Sequence, residues 1–307
     1  MAIHIETPVL ASRALSLDTG KDVRLKMEAL QPSGSFKTRG IGHACETYKA
    51  RGARRFISSS GGNAGYAVAY AGRMLHTPVT VVVPATTSER AKHLIRSEGA
   101  EVIVHGASWM EANTRALELM TPTDAFIHPF DDPLLWDGHA TMIDELARQG
   151  ARPDLVICSV GGGGLLCGVV QGLQRNGWNS VPVIAAETAG ADSFAQALRA
   201  GAPAMLPGIS SIATSLGARQ VCDRAFALTR EHAIESIVVS DAAAVAACDQ
   251  VLLEHRMLVE PACGASVAAL HGASPYLKEA RSVVVVLCGG VGVTARQLAQ
   301  WSARFAA

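Results

Sequence analysis

The segment "QPSGSFKTRG", residues 31–40, places one lysine, Lys37, directly behind Phe36 in a run of Ser and Gly. Lysine normally sits on a wet surface. A lysine drawn into an apolar setting has a lowered pKa and can attack a carbonyl as the free amine. Two other stretches read as anion cradles. In "SVGGGGLLCGVVQG" a strand-like run enters Gly161, Gly162, Gly163 and Gly164, and a helical pattern follows. Bare backbone N–H groups converging at a helix N-terminus suit a phosphate. In "SSSGGNAG", residues 58–65, a hydroxyl, an amide and backbone N–H groups come from Ser60, Gly61, Gly62, Asn63 and Ala64. That set suits a carboxylate, although a simple helix N-cap has the same residue types.

A fourth stretch ends the apolar run "SVVVVLC" at Cys288, before a Gly pair. It reads either as a core cysteine or as a partner for a ring nitrogen. A phosphate cradle, a carboxylate cradle and a Schiff-base lysine together point to pyridoxal phosphate. A neutral thiol cannot hold a proton on a pyridine as a carboxylate would. The ring is then a weaker electron sink, and elimination at Cβ gains over racemisation or transamination. A dinucleotide reading has some support, since Glu187 follows the next strand-like run and could hold a ribose. Its fingerprint is broken, because Leu166 or Cys167 occupies the third glycine position in either register. The triphosphate-binding pattern is absent.

These groups need a scaffold. Eight apolar, β-branched runs read as strands: residues 54–59, 79–84, 101–106, 125–130, 155–160, 181–187, 236–240 and 282–288. Helical patterns lie between them, among them residues 63–75, 87–99 and 241–255. The alternation predicts an α/β fold of two domains, each with a mostly parallel sheet flanked by helices. The stretch "PFDDPLLWDG" marks the crossover between two sets of such units.

The chain has 307 residues, 49% of them hydrophobic, which is enough for a sizeable core and about two domains. Its 27 basic and 27 acidic residues balance, and no block of like charge would attract nucleic acid. The start lacks a signal-peptide pattern, and the greasiest run is too short to span a bilayer. The expectation is a soluble, cytoplasmic protein. Seven scattered cysteines without a CxxC pair argue against zinc, and six of them read as buried, reduced and inert. Most of the ten histidines read as surface or capping residues.

Taken together, "PSGSFKTRG", "SSGGNAG", "GGGGLLCGVVQGL" and "CGG" resemble the pyridoxal-phosphate enzymes of the tryptophan-synthase-β fold type. With "PFDDPLLWDGHATM" and "LVEPACGAS", the chain looks like the L-serine dehydratase / L-threonine deaminase family in its short catabolic form. The resemblance runs from about residue 7 to the last helix. It implies that Lys37 carries the cofactor and does the catalysis. It implies Phe36 and Ser215 on the two faces of the pyridine ring, Asn63 on the ring hydroxyl and Cys288 facing the ring nitrogen. The phosphate would fall to Gly161, Gly162, Gly163 and Gly164, and the substrate carboxylate to residues 60–64. Glu187, Ala191, Ser193, Leu216 and Ala218 match the family's monovalent-cation site, with K+ expected. The same resemblance implies a large domain of residues 1–32 plus 136–307, an inserted mobile domain of residues 33–135, and a homodimer. Many catabolic members carry Ala where this chain has Gly61, so turnover or serine/threonine preference can differ. Serine racemases of this fold carry Ser there as a second proton donor, which Gly61 cannot be. The expected reaction is dehydration and deamination of L-serine and L-threonine. Cysteine synthase-like β-replacement and a weakly active cofactor-binding homologue are the alternatives.

Overall fold

The computed structural model describes residues 2–150 and 152–306. Ten strands run in chain order: β1 Val9–Ala11, β2 Asp22–Lys26, β3 Arg55–Ser58, β4 Val79–Val83, β5 Glu101–Val104, β6 Asp124–Phe126, β7 Leu155–Ser159, β8 Val183–Thr188, β9 Ile234–Val239 and β10 Ser282–Val286. They form two sheets. One has six strands in the order β1-β2-β10-β7-β8-β9; the other has four, in the order β5-β4-β3-β6. Among the described residues, only the β1–β2 strand pair is antiparallel. Strands β4, β7 and β8 are buried along their whole length, so their largely apolar sequences need no polar face.

All eight expected strands are present, as are the helices Asn63–Met74, Glu89–Ser97 and Asp241–His255. Strands β1 and β2 were not expected. Asp22, Arg24 and Lys26 disguise β2, although it lies beside β10, with Val23 opposite Val283 and Leu25 opposite Val285. Two of the ten histidines, His139 and His232, are buried. All seven cysteines are free and buried.

The loops that leave β3, β6, β7, β8 and β10 all start from carboxyl ends of parallel strands, the usual place for a ligand crevice in open α/β sheets. The helix Lys37–Ala50 crosses the helix Pro133–Arg148 at very short range. A Cβ on Gly138 would lie 2.6 Å from the Gly40 Cα, so neither position admits a side chain.

Beneath the start of that helix lies a buried ionic network. Arg39 donates to Glu28 through Nε at 2.7 Å and Nη2 at 2.8 Å. It donates to Glu145 through Nη1 at 2.7 Å and Nη2 at 2.6 Å. Lys26 donates to Glu145 at 2.6 Å, and the Thr7 hydroxyl donates to Glu28 at 2.6 Å. All five residues are buried. Burial alone would lower the Arg39 pKa, but Glu28 and Glu145 overcome it and hold it above its ordinary value. Glu28 answers in kind: burial pushes its pKa up, and Arg39 pulls it below normal. Two cations meet two carboxylates, so no charge is left over. Glu145→Ala removes the partner of both Lys26 and Arg39. It is expected to cost about 3–5 kcal/mol, seen as a lower urea midpoint with an unchanged m-value.

Candidate functional site

Lys37 opens its helix, at the point where the chain comes out of the turn 31–36. That turn is laced to the segment after β10. The Phe36 N–H donates to the Cys288 carbonyl at 2.9 Å, and the Gly290 N–H donates to the Gly34 carbonyl at 3.1 Å. The Glu260 N–H donates to the Gly289 carbonyl at 3.2 Å. One short strand end thus holds Lys37 and Phe36 on one side and Glu260 on the other.

Lys37 keeps part of its surface open. Dense protein on its other sides still removes most of its water. Desolvation pushes its pKa down to about 8, against the pull of nearby Cys288, Cys222 and Glu260. Its Nζ donates to the Pro129 carbonyl and sits 5.0 Å from the centre of the Phe36 ring. No carboxylate bonds to it among the described residues. Behind Phe36 lies His139, with ring centroids 4.8 Å apart. His139 Nδ1 accepts from the Gly40 N–H at 3.2 Å, and burial drives its pKa far down. That imidazole is therefore neutral and braces both the ring and the first turn of the helix.

Cys288 is buried, and its thiol accepts from the Ser159 hydroxyl at 3.3 Å. A hydrogen bond with Cys263 and then burial push its pKa well up, so it stays protonated. Asn63 begins the helix Asn63–Met74, and its Nδ2 donates to Glu260 at 2.7 Å. This fixes the amide. Its Oδ1 is buried and has no partner among the described residues, a vacant acceptor. Burial raises the Glu260 pKa, while Asn63 and Ser215 hydrogen bonds pull it down. Ser215 lies on the short turn Thr214–Leu216 and is exposed.

The glycine loop follows β7 and opens the helix Gly164–Arg175. A Cβ on Gly161 would lie 2.9 Å from the Leu216 Cα, and one on Gly162 would lie 2.3 Å from the Phe130 ring. Gly163 has φ +95, the left-handed region. None of the four donates its N–H to a backbone carbonyl among the described residues. In the segment 60–64, the Ser60 hydroxyl accepts from the Gly62 N–H at 3.3 Å. A methyl on Gly61 would come within 2.6 Å of the Thr87 side chain, which lines this loop.

Of the expected cation residues, Glu187 lies in β8, Ser193 starts the helix Ser193–Ala200 and Leu216 ends the turn Thr214–Leu216. Glu187 Oε1 accepts from the Phe194 N–H at 2.8 Å, and Oε2 from the Ala195 N–H and the Ser236 hydroxyl, each at 2.8 Å. The Ser193 hydroxyl is buried without a partner, and Ala191 and Leu216 share one small cluster. Among the described residues no three His, Cys, Asp or Glu side chains form a metal cluster. The donors on hand are carbonyls, a hydroxyl and one carboxylate, a set for a hard cation.

This constellation has a counterpart among known proteins. The model of the pyridoxal-phosphate dependent enzyme family matches residues 2–289. The chain belongs to that family. It is 47% identical to the mouse (Mus musculus) protein called serine dehydratase-like, over 96% of this chain and 93% of the relative. It is also 47% identical to human (Homo sapiens) L-serine dehydratase/L-threonine deaminase, over 96% of this chain and 94% of the relative. The crystal structure of the L-serine ammonia-lyase of the fungus Rhizomucor miehei superposes with a TM-score of 0.91 at 36% identity, covering 99% of this chain and all of that one. The fold is that of these fold type II pyridoxal-phosphate enzymes. No helix among the described residues is long and apolar enough to cross a membrane.

Sequence reasoning missed Glu260, His139, His128 and the Pro129 carbonyl. Glu260 left a trace, as a lone acid in the apolar run "LVEPACGASVAAL". The others left none: His139 and the Pro129 carbonyl meet partners far off in the chain, and His128 bonds to backbone N–H groups that any sequence carries.

Burial pushes the Glu187 pKa up to about 7 against its three donors. A raised carboxylate pKa favours the folded state below the unfolded value of 4.5, and that contribution disappears as pH rises through 7. In buffers free of alkali cations, melting temperature is expected to fall more steeply from pH 5 to 8 in the parent than in Glu187→Gln. Thermal melts of the two proteins across that range check it.

Proposed function

We propose that this chain is a pyridoxal-phosphate-dependent ammonia-lyase. It converts L-serine to pyruvate and ammonia, and L-threonine to 2-oxobutanoate and ammonia. The observation that carries the reading is the meeting of a Lys37 amine with pKa about 8 and a buried, protonated Cys288 thiol. The names of the relatives support the substrate class.

The residues present fit the cofactor. The vacant Asn63 Oδ1 would accept from its ring hydroxyl, and the free N–H groups of residues 161–164 would hold its phosphate. Phe36 and Ser215 would cover its two faces, and the Cys288 thiol would meet its ring nitrogen. When bound, pyridoxal phosphate supplies a sink for the electron pair left at the substrate Cα.

The protein's own groups divide the remaining work. The Lys37 amine takes the Cα proton, and a pKa near the working pH leaves a useful fraction of it free to do so. The Pro129 carbonyl, its hydrogen-bond acceptor, keeps it in place. Ser60, Gly61, Gly62, Asn63 and Ala64 receive the substrate carboxylate. Loss of the Cα proton and the Cβ hydroxyl removes one water. The resulting enamine, once released, hydrolyses to the 2-oxo acid and ammonia. We place a monovalent cation, K+, among Glu187, Ser193 and the carbonyls of Ala191, Leu216 and Ala218. We also propose that the four-stranded unit moves as a lid, since the Asn63–Glu260 bond is a contact its opening would break.

With potassium and pyridoxal phosphate present, L-serine and L-threonine are expected to yield 2-oxo acid. Lys37→Ala is expected to lower turnover by at least about 10³-fold without loss of fold by circular dichroism. Retained activity in that variant overturns the assignment of Lys37. Sulfide-dependent cysteine formation with no oxo acid would move the reading to β-replacement.

A further inference from the structure

We propose that His128 is a positioning residue for Lys37, acting through the peptide group that joins Pro129 to Phe130. The proposal rests on the reading of Lys37 as the reactive amine.

His128 lies just beyond the end of β6. Its Nδ1 accepts from the Phe130 N–H at 3.2 Å and from the Asp131 N–H at 2.7 Å. Two donors leave no room for a proton on Nδ1, so the ring is the neutral tautomer with hydrogen on Nε2. The Phe130 N–H and the Pro129 carbonyl are opposite ends of one trans, planar peptide. Fixing the N–H on His128 therefore aims the carbonyl the other way, and there it accepts from Lys37 Nζ. The path runs from imidazole to peptide to amine, with each hydrogen bond polarising the next. Pro129 has no N–H of its own, so its backbone cannot anchor the turn and the imidazole does so.

The residue type suits this role. Desolvation, with the Lys37 charge beside it, pushes the His128 pKa down to about 4, so Nδ1 stays an acceptor at any working pH. Its ring packs edge-on against Phe126 at 6.2 Å and Phe130 at 4.7 Å. An aspartate would accept the same N–H groups but would set a negative charge near Lys37. The ionisable groups that face Lys37 are Cys288, Cys222, Glu260, His128 and His139. The Cys288 thiol and the Glu260 carboxyl have pKa values pushed up, and the two imidazoles have theirs pushed down. A new carboxylate at 128 would break that pattern.

The test uses His128→Asp, His128→Asn and His128→Leu in the full chain. Competitive acetylation of Lys37 in cofactor-free protein, read by mass spectrometry across pH, reports the amine directly and does not depend on the reaction. The parent midpoint is expected near the shifted value of about 8. His128→Asp should raise it by about one unit or more, while His128→Asn, a neutral acceptor, should leave it near the parent. In loaded protein, His128→Leu should lower kcat by at least about tenfold with KM for L-serine little changed, and His128→Asn should recover most of that loss. Equal acetylation midpoints in the Asp and Asn variants, or parental kcat in the Leu variant, overturn the proposal. If the Leu variant does not fold, the Asp/Asn comparison decides alone. Activity surviving in Lys37→Ala would instead sink the reading of Lys37, and the acetylation midpoints would still judge His128.

Discussion

The placing of Lys37 depends on Arg39, two residues further along the same helix. Arg39 is wholly buried, and its guanidinium is gripped from two sides by Glu28 and Glu145. A buried ion pair of this kind adds little stability compared with well-packed apolar residues. It does impose a strong penalty on any other arrangement. Turning the helix by one residue would rotate Arg39 by about 100° and leave two carboxylates and Lys26 unpaired in the core. The network therefore fixes the rotation of the helix, and with it the direction of Lys37. It also ties together the N-terminal arm, through Thr7, Lys26 and Glu28, and the helix Pro133–Arg148, through Glu145.

The first turn of that helix treats two cations in opposite ways. Arg39 has a carboxylate on each side, and its pKa rises. Lys37 has a carbonyl, a phenyl ring and the protonated Cys288 thiol, and its pKa falls. The difference comes from partners, since both residues are shielded from water. Charge balance in the network matters for the same reason. A surplus carboxylate beneath the helix would reach Lys37 through poorly screened protein and hold its proton. Two cations against two anions leave only a small residual field.

Much of this fold could be read in the sequence, because it depends on local pattern. The eight strands with apolar, β-branched runs and the helices between them follow from periodicity and length. So do the cradles, since glycines between a strand and a helix mark such a turn wherever they occur. What escaped is what depends on pairing at a distance. Strand β2 looks polar because Lys26 is charged, yet Lys26 is buried against Glu145, 119 residues away. Glu260 meets Asn63 across 197 residues. The residue types of His128 and His139 fit a surface equally well; only the folded chain shows that each accepts a backbone N–H beside Lys37. The four glycines were legible as a loop. The reason that all four lack side chains was not, because it lies in Phe130, Leu216 and Ala225 pressing on the loop from other parts of the chain.

That pressure joins the two halves of the site. Phe130 leaves no room for a side chain at Gly162, and its carbonyl would lie 2.6 Å from a Cβ on Gly164. The residue before it, Pro129, receives Lys37. Adjacent residues of one turn thus touch the amine and the glycine loop. The turn is itself held at several points: His128 takes two of its N–H groups, the Trp136 indole donates to the Phe130 carbonyl at 2.9 Å, and Asp132 caps the following helix through the Leu134 N–H at 2.8 Å. The separation between amine and cradle is therefore set by a rigid span of two residues. A ligand with an aldehyde at one end and a phosphate at the other requires a fixed separation of that kind.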